Sequence, residues 1–75
     1  MKTVLSDLRK GDKAVITEIT EGTSTLRLME LGLIPGAELR VVAVSPFGDP
    51  IAISLDDYSL SLRLHDAKQV VIERK

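Results

Sequence analysis

Residues 27–36 read Arg27-Leu28-Met29-Glu30-Leu31-Gly32-Leu33-Ile34-Pro35-Gly36, a helix stop followed at once by a turn. Leu28 and Leu31 lie three apart and Met29 lies four before Leu33, which gives one apolar stripe at helical spacing. The helix is expected over residues 23–31, with Thr23 or Ser24 accepting from the free amides of its first turn. Arg27 and Glu30 point away from the stripe and can pair at i,i+3. Gly32 suits the position just past the last helical residue, where a left-handed backbone costs glycine nothing. Leu33 then folds back onto Leu28, completing a Schellman motif. Pro35 presets φ at the first central position of a type II turn, and Gly36 supplies the positive φ at the second.

On both sides of this segment the pattern is of strands. Leu5 and Leu8 precede Lys10-Gly11-Asp12, so a single turn capping one end of the core is expected, followed by a strand over residues 13–20. That strand has Ala14 and Ile16 on one face and Val15, Thr17 and Ile19 on the other, which calls for coiling or a bulge. Residues 38–44 set Leu39, Val41 and Ala43 against Val42 and Val44. Residues 51–55 alternate as well, and a loop with two prolines joins the runs as a long hairpin. Asp56-Asp57 turns the chain into residues 58–64, where Leu60, Leu62 and Leu64 alternate strictly. His65-Asp66-Ala67-Lys68 reads as a turn, and residues 70–73 as a closing strand. Five short strands and one inserted helix, mainly β, avoid exposing two long edges by curling into a small, partly open SH3-like barrel. Residues 1–75 form one domain.

With 75 residues, 44% of them hydrophobic and 28% charged, the chain can fold around one small core. Such a core does not also enclose a large cofactor pocket. There is no cysteine, which excludes disulfides, thiolate metal sites and cysteine nucleophiles, and suits a reducing compartment. No apolar run reaches membrane-spanning length, and the N-terminus has no signal-peptide core. A net charge of −1 with a single Phe, a single Tyr and no Trp offers neither a phosphate-binding surface nor a base-stacking platform, so no nucleic acid partner is expected.

His65 is the only histidine, so a nucleophile–base–orienter set would have to be built around it alone. Neither catalysis nor a cofactor is expected. His65 and Asp66, with Asp56 and Asp57, are the only metal-ligand candidates; neighbouring residues seldom face one ion, and a solvated acidic turn explains them better. Phe47, flanked by Pro46 and Gly48 in the hairpin loop, either folds back over the barrel end or stands exposed as an interface anchor. Leu26, Met29 and Ile34 pose the same choice: they broaden the buried face, or they form an apolar patch beside a stripe that Leu28, Leu31 and Leu33 already complete.

Taken in order, R-L-x-x-L-G-L-x-P-G at residues 27–36 resembles the hallmark of the FeoA family, ferrous iron transport protein A. The similarity continues through Pro46-Phe47-Gly48-Asp49-Pro50 and through Tyr58, Leu60, Leu62-Arg63 and Ala67. Leu5, Leu8 and Gly11 also match. One position departs: Asp57 stands where the family often has glycine. The resemblance implies an SH3-like barrel protein of the bacterial cytosol, drawn to the inner face of the membrane through its partner. That partner is a FeoB-type ferrous iron transporter, bound through its cytosolic GTPase region. The expected contacts are Pro46, Phe47, Leu26, Arg27, Met29 and Ile34. Leu28, Leu31, Gly32, Leu33, Pro35, Gly36, Gly48, Asp49, Pro50, Leu62, Arg63 and Ala67 form the structural motif. Three alternatives stand beside it: a metallochaperone carrying ferrous iron; the SH3-like C-terminal domain of a metal-dependent repressor, for which a chain starting at Met1 without a helix-turn-helix would have to be a fragment; and a homo-oligomer pairing through an open barrel edge.

Overall fold

The computed structural model describes residues 2–75. In chain order these form β1 (Thr3–Val4), a 3₁₀ turn (Leu5–Asp7), β2 (Lys13–Ile19), α1 (Thr25–Glu30), β3 (Glu38–Val44), β4 (Ile51–Ser54), β5 (Ser59–Leu62), α2 (Leu64–Ala67) and β6 (Val70–Arg74). The strands make one antiparallel sheet in the order β1-β6-β2-β3-β4-β5, curled but not closed. Six strands are present where five are expected. The extra one is Thr3–Val4, which pairs with Val71 and Ile72 and is too short for alternation to reveal.

Leu5 and Leu8 do close one end of the core, at 0% and 4% exposure. The Val4 amide donates to Asp7 Oδ2 at 3.0 Å, which holds that turn. The expected irregularity in β2 is a bulge: Ile16 pairs with Ile72 and Glu18 with Val71, so Thr17 is the extra residue. A second bulge, between Val41 and Ala43, corrects the reading of β3. Leu39 and Val41 are buried, but the extra Val42 breaks the alternation and leaves Ala43 exposed.

The helix stop forms as the spacing requires. The Gly32 amide donates to the Met29 carbonyl at 3.0 Å and the Leu33 amide to the Leu28 carbonyl at 3.1 Å, with Gly32 at φ +98°. The Ala37 amide then closes on the Ile34 carbonyl at 3.0 Å with Gly36 at φ +94°, the type II turn. A Cβ at Gly32 would overlap the Tyr58 hydroxyl, so glycine is needed there twice over. Tyr58 Oη donates to the Leu31 carbonyl at 2.5 Å and ties the helix end to the β4–β5 turn. Asp57 takes no positive φ, so the departure from glycine is accommodated without strain.

Three local expectations change. Leu31 is not core: with Leu28 and Leu33 fully buried it turns to the rim and is 40% exposed. Leu64 does not continue β5 but opens α2, and the expected turn at residues 65–68 is mostly helical. Ser24 occupies the helix N-cap position without capping; its hydroxyl is engaged elsewhere.

Candidate docking surface

The chemistry that positions the helix centres on Asp66. Its carboxylate is 4% exposed, accepts from Ser24 Oγ at 2.6 Å and from Arg27 Nη2 at 2.6 Å, and so joins α2 to the first turn of α1. A buried carboxylate needs such partners to stay charged. The Ser24 hydroxyl bond holds the Asp66 carboxyl below the ordinary carboxylate range; burial opposes this and the Arg27 guanidinium adds to it. Beside this clasp, Gln69 Nε2 donates to the Thr20 carbonyl and to Thr25 Oγ1, each at 3.2 Å. Thr25 Oγ1 donates to the Thr20 carbonyl at 2.8 Å. Gly22 lies close beneath this group: a Cβ there would come within 2.5 Å of Gln69 Nε2 and displace the amide from its partners.

This corrects two expectations. Arg27 pairs with Asp66 and not with Glu30, because a charged partner at the buried end of its reach offers more than an exposed i,i+3 neighbour. Asp66 is not part of a solvated acidic turn; α2 points it inward while His65 on the same helix stays exposed. Both Asp66 oxygens are therefore engaged, and the two neighbours do not converge on a common point. Among the described residues no group of three or more His, Cys, Asp or Glu is arranged to hold a metal ion.

With the helix held this way, its outer face is apolar. Leu26 is 72% exposed and Met29, one turn on, 42%; together with Glu21, Gly22, Thr23 and Thr25 they line a shallow groove. Ile34, past the helix stop, is 46% exposed. These side chains do not broaden the buried face, because Leu28 and Leu33 fill it. Phe47 does not fold back over the barrel end: it stands 94% exposed at the tip of the β3–β4 connection. Pro46 beside it is exposed, and Val42 and Val44 leading into the loop are each more than a third exposed.

The helix face and the hairpin tip are not one continuous element, but α2 is tied to both. The Leu64 amide donates to Asp49 Oδ1 at 3.0 Å, which anchors the hairpin loop to the start of α2. Two residues on, Asp66 holds α1 through Arg27. Of the motif residues, Leu28, Leu33, Leu62 and Ala67 are buried, Gly32, Gly36 and Gly48 take positive φ, and Asp49 makes the anchor. What the sequence does not reveal is the role of Asp66 as a clasp, in place of the metal-ligand candidate in an acidic turn. Its signal, an acidic residue 39 positions from a basic one, has no local period to reveal it.

The fold is a small, mainly β, SH3-like domain whose short helix α1 is clasped to α2, with apolar side chains turned to solvent. The comparisons with known proteins make the assignment: the FeoA domain matches residues 3–74, and the chain belongs to the FeoA family. It is 37% identical over 70 residues to the Fe(2+) transport protein A/Fe(2+) transporter FeoB fusion protein of Porphyromonas gingivalis. The match covers 92% of this chain and 8% of that much longer protein. Among solved structures, a FeoA-like protein from Clostridium acetobutylicum superposes with a TM-score of 0.89 at 32% identity, covering 99% of this chain and 88% of the other. The FeoA of Stenotrophomonas maltophilia, solved with zinc and described as a procaryotic SH3 domain protein, superposes at 0.82 with 32% identity over 95% and 89% of the two chains. A manganese-dependent transcriptional repressor shares the fold alone, at a TM-score of 0.90 and 20% identity, over 99% of this chain and 41% of that one. FeoA domains thus occur in ferrous iron transport proteins, in one relative joined to FeoB within a single polypeptide. No helix among the described residues is long and apolar enough to cross a membrane.

Proposed function

We propose that this protein is a non-catalytic docking module that binds a FeoB-type ferrous iron transporter from the cytosolic side, through the transporter's GTPase region, and regulates or stabilises it. The observation that carries the reading is the relative in which a matching domain and the transporter are one polypeptide. Fusion raises the local concentration of two parts that act together, and a separate chain needs a surface to achieve the same. Leu26, Met29, Ile34 and Phe47 are exposed apolar side chains on elements held in place by the Asp66 clasp and the Asp49 anchor. A few side chains carry most of an interface's energy, and these four are the exposed apolar candidates on α1, past its stop and at the hairpin tip. Arg27, with 61% of its side chain exposed while it pairs with Asp66, adds a cation at the rim.

Calorimetric titration of the isolated protein into the transporter's cytosolic region tests this. Leu26→Glu and Phe47→Ala, both at solvent-exposed positions, are expected to weaken binding by ~1–3 kcal/mol each while the domain stays folded. Unchanged affinity in both folded variants would reject the surface. Ferrous iron binding by the isolated protein, tight and stoichiometric, would favour the metal-carrier reading instead.

A further inference from the structure

The sheet ends on two open edges, β1 and β5. β1 is two residues long; β5 runs for four and pairs only with β4 among the described strands. The Leu55 amide donates to the Tyr58 carbonyl at 2.8 Å, and the register continues through Leu60 opposite Ile53 and Leu62 opposite Ile51. Hydrogen-bonded pairs alternate with non-bonded ones in an antiparallel ladder. The backbone groups of Leu60 and Leu62 therefore face β4, and those of Ser59 and Ser61 face outward. The strand is short but carries no proline, no charged side chain and no bulge against β4. The charges sit at its two ends, Asp56 and Asp57 before it and Arg63 after it. All three are exposed, and none is in an ion pair among the described residues.

We propose that β5 pairs antiparallel with β5 of a second copy of this chain, about a two-fold axis at Leu60. In that register Ser59 lies opposite Ser61 of the partner copy, and the outward amides and carbonyls of the two strands satisfy one another. Arg63 of each copy arrives beside Asp57 of the other. An edge that begins acidic and ends basic is complementary to itself only when it runs antiparallel, which is what commits the occupant to a second copy and fixes its direction. The same register sets Leu60, partly buried against the core, against Leu60 of the partner copy. It also sets Tyr58, 46% exposed, opposite Leu62. The interface is small, so association is weak and exchanges readily. It uses neither the outer face of α1 nor Phe47 itself, although Asp49 and Pro50 of that loop lie beside Ser61, Leu62 and Arg63, and it does not rest on the docking reading.

The test uses the isolated full chain alone. Sedimentation equilibrium from about 10 µM to about 1 mM protein, the range in which so small an interface would assemble, should show the mass rising from monomer towards dimer. Amide shifts over the same range should move at residues 56–63. Ser61→Pro removes an outward amide at an edge position that tolerates proline and should abolish association with the shift dispersion intact. Arg63→Asp should weaken it by about tenfold through like charges facing each other, and the double variant Asp57→Arg/Arg63→Asp should restore it. The charge swap decides the matter if the proline variant does not fold. A monomer at the highest concentration would overturn the proposal. So would a dimer indifferent to both changes, or shifts confined to Leu26, Met29 and Phe47.

Discussion

Replacing Asp66 with Ala removes the group that fastens α1 to α2. Three effects add. The carboxylate loses a bond from Ser24 at 2.6 Å, a charged hydrogen bond inside the protein and worth ~1.5–3 kcal/mol. Ser24, 8% exposed, is left with a hydroxyl that must find another acceptor. The Arg27 pair contributes less, ~0.5–1 kcal/mol, because its guanidinium side chain is 61% exposed and already solvated. Together the loss is ~2–4 kcal/mol, which in a domain this size lowers Tm by roughly 10–25 °C. Arg27→Ala alone should cost only the smaller part, and Asp66→Asn an intermediate amount, because the amide still accepts from Ser24 but sets a donor against Arg27. Thermal unfolding followed by circular dichroism, with urea titration for the free energies, reads all three. The same group sets a pH dependence. Its folded pKa lies below the unfolded value near 3.8, so its contribution is complete above that value and is lost as pH falls through the folded one. Asp66→Ala should therefore flatten the acid limb of the stability profile. A loss under ~0.5 kcal/mol in Asp66→Ala, or an unchanged acid limb, would refute the clasp as a source of stability.

Gly32→Ala should destabilise by ~2 kcal/mol or more, because it forces a positive φ on alanine and drives a methyl group into the Tyr58 hydroxyl; urea titration measures it. Leu28→Ala, at a fully buried position, should cost ~2–5 kcal/mol and loosen α1, seen as faster amide exchange from Leu28 to Leu33. Phe47→Ala should leave Tm within a degree or two, because a ring 94% exposed packs on nothing in this chain; a large drop in Tm would place the ring in the fold and not in an interface.

How much the sequence told depends on how local the signal was. The stop at Gly32 and the turn at Pro35-Gly36 depend on residues within a few positions of each other, and both formed as read. The bulge in β2 was foreshadowed by apolar residues on both faces. The bulge in β3 was not, since Val42 and Ala43 are both apolar and no period marks which one is extra. Asp66 was misassigned because its environment is made by Ser24 and Arg27, distant in sequence and brought close only by the sheet. The exposure of Phe47 and Leu26 was posed by the sequence as a question, and only the packing of Leu28 and Leu33 answers it for the helix. The open β5 edge lay beyond composition, since alternation marks a strand without marking which strand lacks a neighbour.

The docking account is tested most directly by titrating isotope-labelled protein with the cytosolic region of a FeoB-type transporter, with and without a GTP analogue, and following backbone amide shifts. The account predicts shifts clustered on Leu26, Met29, Ile34 and Phe47, with the Asp66 clasp undisturbed. No shift in any nucleotide state at concentrations near ~1 mM, a limit that admits even weak complexes, would contradict it.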